Sequence, residues 1–180
     1  QGDFNIRDEK LAPFPRTPHD VQVHRSEYYA LITYMDRQLG RIVDALEKTG
    51  QAGNTYIIIT GDHGLSVGEH GLMGKQNLYD SSVRMPFIVV GPGIASGRRI
   101  DALMYQHCLF STVCDLAGIA RPATVQFPSL APLLRGESEH VFDSIYCAYK
   151  GFQRMARTDK YKLILYPDVK KVQLFDLEKD

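Results

Sequence analysis

Three things are scarce in this chain of 180 residues: net charge, long apolar runs and paired cysteines. Lys plus Arg number 21 and Asp plus Glu number 21, so the formal net charge is zero. That balance argues against binding nucleic acid or a membrane surface by bulk charge. No apolar run approaches the roughly 20 residues that a membrane-spanning helix needs. The opening residues, QGDFNIRDEK, lack the pattern of a secretory leader. The three cysteines, Cys108, Cys114 and Cys147, form no CxxC pair and no metal-finger spacing. Cys108 and Cys114 fall in one predicted helix, out of phase for a shared ligand, and read as small buried hydrophobes. Internal repeats and low-complexity tracts are also missing. What remains, 44% apolar and 23% charged residues, is the composition of an ordinary globular chain with one domain or slightly more.

The chain opens with an irregular reading over residues 1–24, where Pro13, Pro15 and Pro18 interrupt helix and strand alike. His19 and His24 lie there and read chiefly as exposed. A helix is predicted over residues 26–49, with Ser26 as N-cap and Gly50 as stop. Its stripe of Tyr28, Leu31, Ile32, Met35, Leu39, Ile42, Val43 and Leu46 recurs at three- and four-residue steps and reads as core packing. Two apolar runs, residues 56–60 and 85–90, read as strands, the first of them buried. With the helix before them and another at residues 107–117, they imply an α/β fold. The expected architecture is part of a mixed, mostly parallel sheet flanked by helices. The texture changes after Pro122. A proline-rich link leads to four closely spaced strands, at about 144–149, 153–157, 161–166 and 172–177, which read as a small C-terminal antiparallel β-subdomain. The expected division is 1–125 for the α/β part and 126–180 for the linker and β-subdomain.

Between the two apolar runs lies the chemistry. The strand at 56–60 breaks at Gly61, and Asp62, His63 and Gly64 follow at once, then Glu69, His70 and Lys75. Ligands in open α/β sheets sit beyond the carboxyl ends of strands. Neighbouring residues in a strand face opposite ways, so Asp62 and His63 can share an ion only because glycines free the backbone around them. A carboxylate and an imidazole suit several divalent metals; calcium prefers an all-oxygen shell. The same GDHG turn can equally be a tight loop in which Asp62 accepts backbone amides. Glycines at 61, 64, 68, 71 and 74 make a helix here improbable, so the polar groups of the loop must be satisfied by water, by one another or by a ligand.

The stretch TGDHGLSVGEHGLMGKQNLYDSSVRMPFIVVGPGI closely resembles the second half of the type I sulfatases, within the alkaline-phosphatase-like superfamily. Upstream, EYYALITYMDRQLGRIVDALEKTG resembles the helix before that strand; downstream, SLAPLLRGE, RMARTDKYKLILY and QLFDLEKD resemble the family's linker and C-terminal sheet. The likeness spans about residues 25–180. It implies a sulfuric ester hydrolase with a divalent metal, calcium by the family's habit. Asp62 and His63 match metal-ligand positions, and Lys75 matches the lysine that contacts the sulfate group. Tyr79, Asp80 and Arg84 fit the downstream pattern and read as structural. The expected partner is a small-molecule or carbohydrate sulfate ester.

One departure accompanies the match. The family's nucleophile is a Cys or Ser in a C/S-x-P-x-R motif, oxidised to formylglycine, and no cysteine here has that sequence after it. The paired upstream aspartates of the family's metal site are missing too. The chain therefore reads as the C-terminal portion of a sulfatase, holding part of the electrostatic site, and is expected to be inactive alone. Two rivals follow: a phosphodiesterase or phosphonate monoester hydrolase of the same superfamily, and a non-catalytic domain that keeps the fold.

Overall fold

The computed structural model describes residues 4–10 and 12–180; the irregular reading of residues 1–3 and of Leu11 lies outside them. The chain divides into two compact units. The first takes the residues up to Thr55 together with Ile59–Gly91; the second takes Tyr56–Ile58 and Pro92–Asp180.

In the first unit the irregular reading of the N-terminal segment is corrected. A short helix, α1, spans Arg7–Lys10, and the long helix α2 runs Pro18–Lys48, its N-cap Thr17 nine residues before the expected cap Ser26. The reason is a capping box. The Thr17 hydroxyl accepts from the Asp20 amide at 3.2 Å, and the Asp20 carboxylate accepts from the Thr17 amide at 3.0 Å. Pro18 sits at the first helical position, where a missing N–H costs nothing. The dense prolines thus mark a helix start as well as a loop. Asp20 is held below its usual carboxylate range, first by the Thr17 hydroxyl and then by the Thr17 backbone amide.

The apolar stripe of α2 is also corrected: no α2 residue is buried. Leu31 is 63% exposed, Met35 56% and Ile42 65%. A 31-residue helix extends about 46 Å at 1.5 Å per residue. In its N-terminal half Tyr28 lies against the Ala12, Val67 and Met73 cluster, and the Ala52–Asn54 turn follows its C-terminus.

The strands β1, Ile57–Thr60, and β2, Phe87–Val90, pair in a two-stranded sheet, with the short helix α3, Asp80–Val83, between them in sequence. The first was expected to be a buried strand and the second a short apolar one. Instead β1 is half-buried throughout, and β2 alternates, with Ile88 and Val90 exposed. The coarse α/β class holds, but no mostly parallel sheet occurs among the described residues, whose wider sheet, of four strands, is antiparallel.

In the second unit α4, Cys108–Leu116, buries Cys108, Ser111, Thr112 and Cys114. This agrees with the reading of Cys108 and Cys114 as buried hydrophobes, and burial pushes the Cys108 thiol above its usual range. The Thr112 hydroxyl donates to the Cys108 carbonyl at 2.7 Å and accepts from the Leu130 amide at 2.8 Å. The proline-rich link contains a helix the sequence reading missed, α5, Ala131–Arg135, which has a proline in its first turn and ends at left-handed Gly136.

Four strands then form an antiparallel meander in the order β3-β4-β5-β6: Ile145–Tyr149, Gln153–Arg157, Tyr161–Tyr166 and Lys171–Asp176. These lie within a residue or so of the expected strands. Tyr105 bridges to them, its ring edge-on to Phe127 and Phe142 and its hydroxyl accepting from the Tyr146 amide at 2.7 Å. Met155 and Ile164, cross-strand partners in β4 and β5, are fully buried.

Two stability measurements test these packing arguments. Met155→Ala should cost about 2–5 kcal/mol in urea unfolding, as a fully buried side chain leaves a cavity. Thr17→Ala should cost about 1 kcal/mol by removing the cap. The Asp20 contribution carries its own pH signature. Its carboxyl is held below the ordinary 3.8, so the stabilisation is present above that pH and is lost as pH falls through the lower folded value. Helical circular dichroism of wild type should therefore decline below about pH 4 more than that of Thr17→Ala.

Candidate functional site

Asp62 and His63 leave the end of β1 on an exposed turn. The Asp62 carboxylate accepts from the His63 amide at 3.1 Å, as a tight turn requires. Its other oxygen, Oδ2, stands 3.2 Å from His63 Nε2. The imidazole's other nitrogen, Nδ1, lies 2.9 Å from the Gly64 carbonyl, which can only accept, so Nδ1 carries the proton. Nε2 then faces a carboxylate oxygen across that 3.2 Å. Two acceptors that close need a proton or a cation between them. A separation of 3.2 Å is also about the edge spanned by two ligands at right angles around an ion at 2.0–2.6 Å. A backbone carbonyl holding the far nitrogen is the usual way a ligating histidine is oriented. The donor pair therefore fits a divalent ion as part of a shell. Among the described residues no group of three or more His, Cys, Asp and Glu could hold a metal by itself.

What places this turn is the backbone around Gly64. Its amide donates to the Ser82 carbonyl at 2.8 Å, and an added Cβ would overlap the Ser81 carbonyl. A further net follows. The Ser66 amide donates to the Gly74 carbonyl at 3.1 Å, and the Ser66 hydroxyl lies 3.1 Å from that of Ser81. Buried Asn77 donates to the Ser66 hydroxyl at 3.0 Å and accepts from the Tyr79 amide at 3.0 Å. The loop is thus irregular, with its turns tied together by these hydrogen bonds, as backbone away from water requires.

Lys75 follows the buried residues Leu72, Met73 and Gly74 and is itself half-buried. Its loop is held from a distance in sequence. The Glu9 carboxylate, on α1, accepts from the Gly74 amide at 2.7 Å and from the Met73 amide at 3.1 Å. Arg16 pairs with Glu9 at 2.6 Å and also donates to the carbonyls of Gly71, Ala12 and Glu9. The two side chains are only 3% and 6% exposed. Breaking such a buried pair by removing one partner costs about 3–5 kcal/mol. From α2, Arg25 donates to the Val67 carbonyl at 3.0 Å, and Val21 packs against left-handed Gly68. Sequence reading missed Glu9, Arg16, Ser66 and Asn77 as builders of the site. A charged residue inside a proline-dense segment was the one available hint, and it names no partner.

The remaining candidates separate. Glu69 is exposed on the Glu69–Gly71 turn, and His70 stacks on buried Tyr79 with ring centroids 3.9 Å apart. Tyr79 is the N-cap residue of α3, Asp80 its first residue and Arg84 its C-cap. His19 and His24 lie on the first turns of α2 and line an open cleft of about 360 Å³ with Pro13, Phe14 and Met73; Asp62, His63 and Lys75 are not among its walls.

Comparison with known proteins gives this arrangement its context. The family model described as Sulfatase matches residues 5–119, and the one described as N-sulphoglucosamine sulphohydrolase, C-terminal, matches residues 68–180. The chain belongs to the sulfatase family. It is similar to arylsulfatase K of Xenopus laevis, at 34% identity over 94% of this chain and 34% of that protein. Among solved structures it resembles a putative sulfatase from Bacteroides thetaiotaomicron, with a TM-score of 0.85 and 28% identity over 97% of this chain and 40% of the other. It also resembles a phosphonate monoester hydrolase from Silicibacter pomeroyi, with a TM-score of 0.81 and 26% identity over 91% of this chain and 37% of the other. The chain spans about a third of the length of the curated relatives it matches.

Two glycine substitutions test whether the turn geometry is held as described. Gly64→Ala should destabilise by about 3 kcal/mol and shift the Asp62 and His63 resonances, because the Ser81 backbone has no room to yield. Gly53→Ala, where nothing stands within 4 Å, should stay within about 0.5 kcal/mol of wild type.

Proposed function

We propose that the complete protein is a sulfuric ester hydrolase and that this chain supplies part of its divalent-metal and sulfate-binding site. The observation that carries the reading is the 3.2 Å apposition of Asp62 Oδ2 and His63 Nε2 beside a loop bearing Lys75, in a member of the sulfatase family. Asp62 and His63 would hold the ion, calcium by the family's habit, with a carboxylate oxygen and an imidazole nitrogen. Bound there, a divalent cation supplies Lewis-acid polarisation of the ester oxygens. Lys75 is the catalytic residue of this chain. Its ammonium opposes the negative charge of the sulfate group and the charge that develops as the ester bond breaks. The nucleophile, a formylglycine in the family, would lie upstream, so the 180 residues alone have no route to turnover. In this reading β1 and β2 belong to a larger, mostly parallel sheet, residues 1–125 form part of the catalytic domain, and residues 126–180 the linker and small β-subdomain.

A carbohydrate sulfate is the favoured substrate class. The support is the match of residues 68–180 to a C-terminal domain named for a sulphohydrolase of N-sulphoglucosamine. The likeness to a phosphonate monoester hydrolase keeps a second reading, hydrolysis of phosphonate esters on the same metal ligands.

The test compares the complete gene product and the 180-residue chain on 4-nitrophenyl sulfate and on a phenylphosphonate monoester, each with calcium and after chelation. The complete protein should prefer the sulfate and lose activity on chelation. Lys75→Ala should lower kcat/KM about 10²–10³-fold, the usual loss for one preorganised charge-stabilising group. Asp62→Asn should weaken calcium binding in titration calorimetry. A preference for the phosphonate would transfer the assignment to the second reading, and turnover by the 180 residues alone would refute their dependence on an upstream nucleophile.

A further inference from the structure

We infer that the buried Glu9–Arg16 pair is a positioning device for Lys75, setting where its ammonium stands relative to a bound sulfate group. The inference rests on the proposed role of Lys75 and adds two residues outside the glycine-rich stretch to the machinery of that site.

Its basis is geometric. Lys75 sits in a loop with no strand ladder, and the α-helix nearest in sequence begins only at Asp80. Nothing periodic therefore fixes the backbone that carries it. Instead one carboxylate binds the two amides immediately before it, those of Met73 and Gly74. The same carboxylate is held by Arg16, whose other guanidinium contacts go to the Gly71, Ala12 and Glu9 carbonyls. Arg16 is in turn seated against the Phe14 ring, its guanidinium carbon 4.5 Å from the centroid. Residues 71, 73 and 74 are thus clamped through both a carbonyl and amides. The fit is close, since a Cβ on Gly74 would stand 2.9 Å from Glu9 Oε1 and 3.1 Å from Gln76 Oε1, which accepts from the Lys75 amide. A glutamate accepting backbone amides while paired to a buried arginine cannot rotate away without stranding several polar groups out of water. A charge-stabilising group works only if it is held where the charge appears, and a misplacement of about 1 Å can cost about 10²-fold in rate. The clamp is built where that tolerance matters, on the two residues before the lysine.

The test uses Glu9→Gln and Gly74→Ala in the complete gene product. The first turns an amide N–H₂ toward donors, and the second pushes the carboxylate off the Gly74 amide while leaving Glu9 in place. Two readouts are taken: amide hydrogen exchange at Met73 and Gly74, and kcat and KM for 4-nitrophenyl sulfate, with and without Lys75→Ala. Exchange at Met73 and Gly74 should rise about tenfold or more while that at Ile164, in the other unit, stays unchanged. The kcat should fall about 10- to 100-fold with KM moving little, and the fall should vanish on the Lys75→Ala background, because two changes acting through one group are not additive. Equal losses with and without Lys75 would make the pair a general support of the fold and overturn the inference. Unchanged exchange, or unchanged kcat where Lys75→Ala alone is impaired, would overturn it while leaving the lysine's role standing. An active protein indifferent to Lys75→Ala, or one that hydrolyses no sulfate ester, would defeat the functional reading itself and the inference with it. If Glu9→Gln fails to fold, Gly74→Ala decides by the same criteria.

Discussion

A carboxylate taken out of water has to be given donors, and the first unit is arranged around how Glu9 obtains its own. The side chain is 3% exposed, and an uncompensated charge there would cost several kcal/mol. Two amides of a loop more than sixty residues away and one guanidinium supply the compensation. The requirement runs in both directions. The loop amides at Met73 and Gly74 are buried and need an acceptor as much as the carboxylate needs donors. Neither side can be satisfied without the other, so a short helix at the start of the chain and an irregular loop in its middle are tied by one polar knot. Arg16 tightens it by spending its donors on three backbone carbonyls besides the carboxylate.

The turn at Asp62 and His63 lies at an exposed edge. Asp62 is 84% exposed in its side chain and His63 38%. Behind them Ser66, Asn77 and Ser82 are buried, and their backbone and side-chain bonds fix the turn from within. The loop thus buries much of its hydrogen bonding while the Asp62 carboxylate and the His63 imidazole stay open to solvent. The two matched family models overlap over residues 68–119, which includes Lys75 and the residues of its clamp on the loop side.

The second unit obeys a simpler rule. Each strand of the meander pairs with its neighbour in sequence, through turns of a few residues. Such pairing needs little loop-closure entropy, and its buried face carries Met155, Ile164 and Tyr166 together with the polar Gln153 and Lys162. The polar contacts there are local in character as well: Tyr166 donates to Gln173 on the adjoining strand at 2.8 Å. Thr112 fastens α4 to the segment before α5 through a single hydroxyl that both donates and accepts.

Local order was therefore legible in the residues themselves. The meander, α4 with its buried cysteines and the breaks at Gly61 and Gly91 follow from period, turn chemistry and apolar runs, all of which act over a few residues. The adjacency of Asp62 and His63 and the glycine spacing up to Lys75 were equally visible, and with them the family. The start of α2 was written in Thr17, Pro18 and Asp20, but three prolines masked it, since the same residue that breaks a helix interior suits a helix's first turn. Beyond that, sequence carried no information. The periodic stripe of Leu31, Met35 and Ile42 states that a face is apolar, not that anything in this chain covers it. Nothing in RDEK or FPRTP says that Glu9 and Arg16 meet, or that they meet the backbone of Met73 and Gly74. Partnership between a buried charge and amides sixty residues away is decided by which groups lose water together, and only the tertiary structure brings them to one place.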